Sequence, residues 1–445
     1  MNQALVRVRQ EPRSGGLFVL FALWVTFLFD PHWYLAAKGP DIVLKLPVIL
    51  FLALWAFLSF GMLTNESWQR RWQWFPPFLM LLIIGGIGVP MAMNIGYAKN
   101  TWQGYVLWWT LIVGTLAIID SPRRAEFLLY LYGLQFLWWA GWGGKAGLVG
   151  WHHTLSNYDG FGAFNVGGVA ICYFLAVAIN KRWFKWLMYA TAGACAMGVV
   201  ASFARGAFFA LVLVFVIIWL RSPHKGRTAL AGVGITLVVV LAASFLFEKG
   251  FFWNEIMSVF HEGTTEGTGA QRMTLWATAI DVWRHNPIFG AGLKNYGVYA
   301  STLYQEGELG GMFGNPRALY DYVLHNLYLT TLSELGIAGC IALLWIFIDF
   351  FRCNAKLRSE AAERRWHELG GSMKLRPIAL GLEAAMAAFM VDAAVYSMMG
   401  LHWFYTMLAL NRLLYAIVVR NNPAISPVPG FRARRTTAVA RAARV

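Results

Sequence analysis

Charge is scarce in this chain: only 13% of its 445 residues are Asp, Glu, Lys or Arg, against 58% hydrophobic, and the mean hydropathy is +0.52. That excludes an ordinary soluble domain, where about a quarter of residues are charged. Acids are scarcer than bases, 22 against 37, for a net charge of +15. The bases are scattered over many loops rather than gathered on one face, which excludes nucleic acid as the partner. There are four cysteines. Cys172, Cys195, Cys340 and Cys353 all lie in or beside apolar runs, so neither a disulfide framework nor a cysteine metal site is implied. The first apolar run reaches Asp30-Pro31 without an Ala-x-Ala cleavage pattern, and it is expected to stay as a membrane anchor. No internal repeat is visible.

Apolar runs of about 17–25 residues, each long enough to cross about 30 Å of hydrocarbon, dominate the remainder. Twelve fall near 17–36, 42–63, 76–93, 103–120, 125–143, 160–180, 183–203, 206–220, 228–247, 326–351, 377–398 and 401–419. The fold expected is therefore all-α: a polytopic membrane protein with about 12 transmembrane helices. Laid out in alternation, the spans put Arg7, Arg9, Arg13, Arg70-Arg71, Arg123-Arg124, Lys181-Arg182, Arg221, the segment Arg352 to Arg376 and the tail on one side. The positive-inside rule makes that side the cytoplasm. Both termini are then cytoplasmic, and the one long polar interruption, 248–324, is a large loop on the opposite face between spans nine and ten. The chain divides into nine spans (1–247), this loop (248–324), three spans (325–420) and a basic tail (421–445). The tail lacks any apolar period and is expected to lie disordered near anionic membrane lipid.

The loop has its own pattern. Phe251 to Val259 is short and aromatic, and His261 to Gly269 is a Gly/Thr-rich link. Met273 to Trp283 has the spacing of a short amphipathic helix, stopped by Asn286-Pro287 and followed by a turn at Gly290-Ala291-Gly292. Lys294 to Leu324 looks irregular. The charged segment Arg352 to Arg376 reads as a solvated connector.

Several residues are candidates for chemistry. Arg205, between the seventh and eighth runs with almost no loop, is costly so close to hydrocarbon unless it meets an anion or a water-filled cleft; the alternative is a snorkelling interface arginine. Arg272, Arg284, Lys294 and Arg317 lie in the loop, and the planar guanidinium suits phosphate, although a single loop arginine is equally a solvated or ion-paired residue. His325 starts the tenth span, where an imidazole can exchange a proton near neutral pH or simply bond a carbonyl. Asn326 beside it offers an amide to orient the ring or a hydroxyl. His152-His153 lack companions at ligand spacing and read as interfacial. Glu383 and Asp392 are acids within a span, functional candidates by default. Nine residues apart, they are expected on opposite helix faces, with Asp392 nearer the candidate site.

Three segments, Ser202-x-x-Arg205-Gly206-Ala207, Arg272-x-x-x-Trp276 running to Asn286-Pro287-Ile288-Phe289-Gly290-x-Gly292, and His325-Asn326-x9-Gly336-x-x-Gly339, carry a family likeness. Over residues 195–345 the chain resembles the O-antigen ligase and polymerase superfamily of bacterial membrane glycosyltransferases. Phe203-Ala204 depart from it, since the family has Ser immediately before the arginine. The resemblance implies transfer of a glycan from undecaprenyl diphosphate to an acceptor hydroxyl at the periplasmic face of the inner membrane. Arg205 and Arg272, with Arg284 as a weaker third, would bind the diphosphate. His325 would act at the acceptor, oriented by Asn326 and more weakly by Asp392. No cofactor is implied, and the loop has no Asp-x-Asp metal pattern. Ligation of O-antigen to lipid A–core is the first reading; polymerisation of O-antigen or exopolysaccharide and transfer to protein Ser or Thr remain open. A reading of another class is a twelve-span transporter or lipid-glycan flippase. Those carriers commonly show a pseudo-repeat of halves, which this sequence lacks.

Overall fold

The computed structural model describes residues 14–29, 46–64, 75–145, 158–202, 204–222, 224–246, 267–309, 313–397 and 402–420. His152-His153, the segments 251–259 and 261–266, and the basic tail lie outside them. Among the described residues all regular structure is helical. In chain order the helices are α1 (Ser14–Phe29), α2 (Leu46–Thr64), α3 (Pro76–Met91), α4 (Ile95–Ile118), α5 (Pro122–Lys145), α6 (Tyr158–Ala178), α7 (Arg182–Ala201), α8 (Arg205–Arg221) and α9 (Lys225–Leu246). There follow α10 (Gly267–His285), α11 (Tyr296–Leu303), a 3₁₀ turn (Pro316–Asp321), α12 (Leu327–Leu357), α13 (Glu360–Glu368), α14 (Leu375–Asp392) and α15 (His402–Tyr415). A helix thus lies over each of the twelve apolar runs. Three stretches are long and apolar enough to cross a membrane: Gly160–Ala178, Arg182–Ala201 and Leu327–Leu357. Shorter apolar helices cover Gly16–Phe29, Leu46–Ser59 and Pro76–Met91.

Helix α6 is the centre. Its spanning window is 89% buried, enclosed by α7, α8 and α14. Small side chains permit this, as is usual where helices associate without a hydrophobic driving force: a Cβ at Gly168 would strike Cys195 and Phe136. Aromatic residues fill the wider gaps and tie helices together through their polar ends. Trp24 donates to Thr115 at 2.9 Å, Trp139 to the Leu28 carbonyl at 2.8 Å, and Tyr132 to the Trp403 carbonyl at 3.1 Å. The four cysteines carry free thiols.

Two segments differ from the sequence expectation. The described residues of 294–324 are organised by α11 and the 3₁₀ turn. They close, together with α10, around a small core of their own that includes Leu275, Val282, Tyr296, Phe313 and Leu324. The many Tyr and Gly residues hid that core, because it is assembled from isolated apolar positions without a period. Arg352 to Arg376 is fixed rather than freely solvated. Ser359 caps α13 through the Ala362 N–H at 3.2 Å, and Trp366 is fully buried. Glu363 accepts the Leu375 and Arg376 N–H groups at 3.0 and 2.7 Å, capping α14 from another helix, and Glu126 accepts those of Ser372 and Met373 at 2.5 and 2.8 Å. Glu363 thus satisfies backbone donors that the start of α14 leaves open.

Candidate functional site

The last turn of α14 and the residues after it, Asp392 to Ser397, gather the candidate residues. Helix α8 arrives first. Ser202 makes the tight turn out of α7, its hydroxyl donating to the Val199 carbonyl at 2.7 Å and accepting the Ala204 N–H at 3.2 Å. Arg205 is then the first residue of α8. Gly206 lets α8 lie directly on α14, since a Cβ there would collide with Asp392 Oδ1 and Val395. The buried Asp392 carboxylate consequently sits against the first turn of α8, where the helix dipole favours an anion.

His325 comes from the other side. It has φ +48°, a left-handed conformation uncommon for a residue with a side chain, though histidine is among those enriched there. That reversal lets Asn326 cap α12 by accepting the Leu329 N–H at 3.0 Å. It also docks the start of α12 on the same segment: Leu327 N–H donates to the Ala393 carbonyl at 2.8 Å, and Asn326 N–H to Ser397 Oγ at 3.2 Å. Tyr328 OH reaches the Met390 carbonyl at 2.7 Å. The His325 ring lies 6.2 Å from that of Tyr396. Arg272 is one helical turn before Trp276 on α10, hence on the same face, and the Trp276 indole donates to the Leu324 carbonyl at 3.0 Å, next to His325. The start of α8 and the start of α12 thus both meet Asp392 to Ser397, and the face of α10 that carries Arg272 reaches the residue before His325.

Arg284 is not part of it. It stands twelve residues beyond Arg272 on α10, largely exposed and ion-paired with Asp281 at 3.0 Å. Glu383 does not reach it either: it bonds Arg221 at 3.3 Å and Arg358 at 3.1 Å. Nine residues apart on α14, Glu383 and Asp392 both meet α8, one at each end. The long Arg221 side chain crosses to Glu383, whereas Gly206 brings the backbone of α8 to Asp392 itself.

The glycines of the two loop motifs have a shared purpose. At Gly336 (φ 63°, ψ −165°) helix α12 breaks its ladder. The groups left open are the carbonyls of Ser333 and Glu334 and the N–H groups of Ile337 and Ala338, which would have bonded each other in an unbroken helix. The 287–292 loop takes their place. Ala291 and Gly292 N–H donate to Ser333 and Glu334 at 2.9 and 3.0 Å, while the Pro287 and Ile288 carbonyls accept from Ile337 and Ala338 at 2.9 and 3.2 Å. A Cβ at Gly336 would hit the Ile288 backbone, and one at Gly290 that of Glu334 and Leu335. Beyond the loop, the Glu334 carboxylate accepts the Lys294 N–H at 2.8 Å.

Sequence reasoning missed Tyr396, Ser397 and Glu334. The first two follow Asp392 without any spacing signal, because their role arises from tertiary contact. Glu334, as an acid in a spanning helix, carried the same signal that singled out Glu383 and Asp392.

Residues 190–344, about a third of the chain, match the family model described as O-antigen ligase, which supports the superfamily likeness read from the sequence. The match runs from α7 through the kink of α12, so it contains Arg205, Arg272 and His325 but not Asp392 or Ser397. No curated protein is similar enough to this chain to count as a match. The family and the apolar helices together describe a membrane protein with a glycosyltransferase-type activity of glycan transfer.

Proposed function

We propose that this protein transfers a glycan from undecaprenyl diphosphate to an acceptor hydroxyl at the periplasmic face of the inner membrane, as an O-antigen ligase acting on lipid A–core. The observation that carries the reading is that the starts of α8 and α12 both meet the segment Asp392 to Ser397, while the Arg272 face of α10 reaches Leu324, next to His325. Arginines on two of these elements suit an anion with many oxygens. In the reaction the acceptor hydroxyl attacks C1 of the donor sugar. The bond from C1 to the diphosphate oxygen breaks, and undecaprenyl diphosphate leaves with the electron pair. Arg205 and Arg272 stabilise the charge growing on that oxygen, and His325 Nδ1 or Nε2 takes the proton of the attacking hydroxyl. Twelve spans with both termini cytoplasmic and the 248–324 loop periplasmic complete the proposal. Basic residues on the loops of one side support that orientation.

The test is reconstitution of purified protein in liposomes with undecaprenyl diphosphate-linked O-antigen and lipid A–core. Appearance of the joined lipopolysaccharide is the expected result. Lengthening of the carrier-linked glycan instead would make the protein a polymerase, and glycan on a Ser- or Thr-bearing protein would make it an oligosaccharyltransferase. Movement of the donor across the bilayer with no new bond would overturn transfer in favour of a flippase.

A further inference from the structure

Helices α6, α7, α8 and α9 line a second feature, a half-open cleft of about 950 Å³ whose rim includes the exposed Val212, Val233 and Leu237. That is at the upper end of the range of about 300–1,000 Å³ for small-molecule sites. Its wall is apolar along most of its length, with Tyr173, Tyr189, Phe215, Val233 and Leu237 among the lining residues. Gly193 and Gly232 also line it, and a Cβ built at either meets nothing within 4 Å, so the space continues over both.

Only one end is polar. There the cavity meets Ser222, His224, Arg227 and Thr228, in the turn between α8 and α9. Hydrogen bonds shape that turn: Ser222 Oγ and Thr228 Oγ1 lie 2.6 Å apart, Ser222 Oγ accepts the His224 N–H at 3.2 Å, and the Thr228 hydroxyl donates to the His224 carbonyl at 3.1 Å. Lys225 lies next to it, its ammonium 5.5 Å from the Trp219 ring. Among the described residues no acid lines the cavity. The mouth is at the C-terminal end of α8, and the 17 residues of that helix, about 25 Å in length, separate it from Arg205.

A long apolar channel with a cationic mouth matches a molecule with acyl chains and an anionic head, and basic pockets between membrane helices hold such headgroups. A free phosphate would leave the apolar wall empty, and an uncharged lipid would leave the mouth unmatched. We propose that this cavity binds one anionic phospholipid, its phosphate held by Arg227 and His224 and its acyl chains running along α8 over Gly193 and Gly232. The lipid belongs to the leaflet on the side of the basic loops. That side rests on the topology proposed above, whereas the binding does not.

Native mass spectrometry of the full chain, released from detergent with added phosphatidylglycerol or phosphatidylcholine, tests this. Wild type is expected to retain a phosphatidylglycerol adduct at about fivefold lower lipid concentration than phosphatidylcholine. Arg227→Ala is expected to abolish the preference. Gly193→Leu fills the cavity far from the mouth and replaces a weak helix former with a strong one; it is expected to abolish the adduct and the rise in Tm that phosphatidylglycerol gives wild type. Equal retention of the two lipids by wild type overturns the proposal, as does an undiminished adduct in both variants. Displacement of phosphatidylglycerol by a lower concentration of undecaprenyl phosphate overturns it too. Wild type that holds phosphatidylglycerol yet transfers no glycan overturns the proposed function and leaves the lipid site standing.

Discussion

At the scale of single residues, Arg205, Arg272 and His325 are expected to fail differently when changed. Arg205→Ala and Arg272→Ala should each lower transfer by about 10²–10³, the usual loss when one preorganised donor to a developing oxyanion is removed. Arg→Lys should recover only part of it, because a point charge lacks the paired geometry. Full transfer by Arg272→Ala in the liposome assay would remove it from the site. His325→Ala should still bind carrier-linked glycan and transfer almost none, while His325→Gln separates proton transfer from hydrogen bonding: a near-normal Gln variant would exclude the imidazole as the base. Arg205 and His325 stand out in the sequence as a guanidinium and an imidazole at the edge of hydrocarbon, and Arg272 as a guanidinium in the polar loop. Ser397 and Tyr396 carry no such signal, and only the fold puts them beside Asn326 and His325.

Elements tell a similar story of periodic features read and aperiodic ones missed. The position of each apolar run was legible, and α10 begins a little before and ends a little after the expected Met273 to Trp283. The sequence also marked Gly290, Gly292, Gly336 and Gly339, but as a motif without a geometry. The geometry is a loop backbone taking over hydrogen bonds of a broken helix, a pairing between residues more than forty positions apart that no local pattern encodes. Its consequence can be measured. Gly336→Ala forces a left-handed backbone on a residue with a Cβ, at about 1–3 kcal/mol, and adds a clash with Ile288. The variant should unfold several degrees lower in detergent and lose transfer as well. Gly290→Ala should do the same, and the double variant should lose less than the sum, since each change opens the same contact. Strict additivity in Tm would show that the loop and the kink do not stabilise each other. In the loop's own core, burial raises the pKa of the Tyr296 hydroxyl, keeping it a neutral donor to the Leu275 carbonyl at 3.1 Å. Tyr296→Phe should lower stability by about 1 kcal/mol, read as a shift in the unfolding midpoint.

For the whole molecule the decisive quantity is which face of the membrane each end occupies. Thr302 on α11 and Arg364 on α13 are both exposed and belong to opposite ends of α12. A cysteine at Thr302 should react with an impermeant maleimide added to spheroplasts, and one at Arg364 only after the membrane is opened. The reverse pattern would move the site to the cytoplasm. Of the native thiols only Cys340 is partly exposed, so the background is small. The broken helix also sets a rule for engineering. Whoever wishes to change what this protein accepts by grafting in the loop of a relative will be tempted to cut at its visible ends, before α10 and after His325. Such a chimera would bring foreign 287–292 carbonyls and amides to a native kink, and a mismatch of even one residue in register would leave the four backbone groups of the kink without partners. The exchangeable cassette therefore extends past His325 to Ala338, with the first three turns of α12 travelling along with the loop.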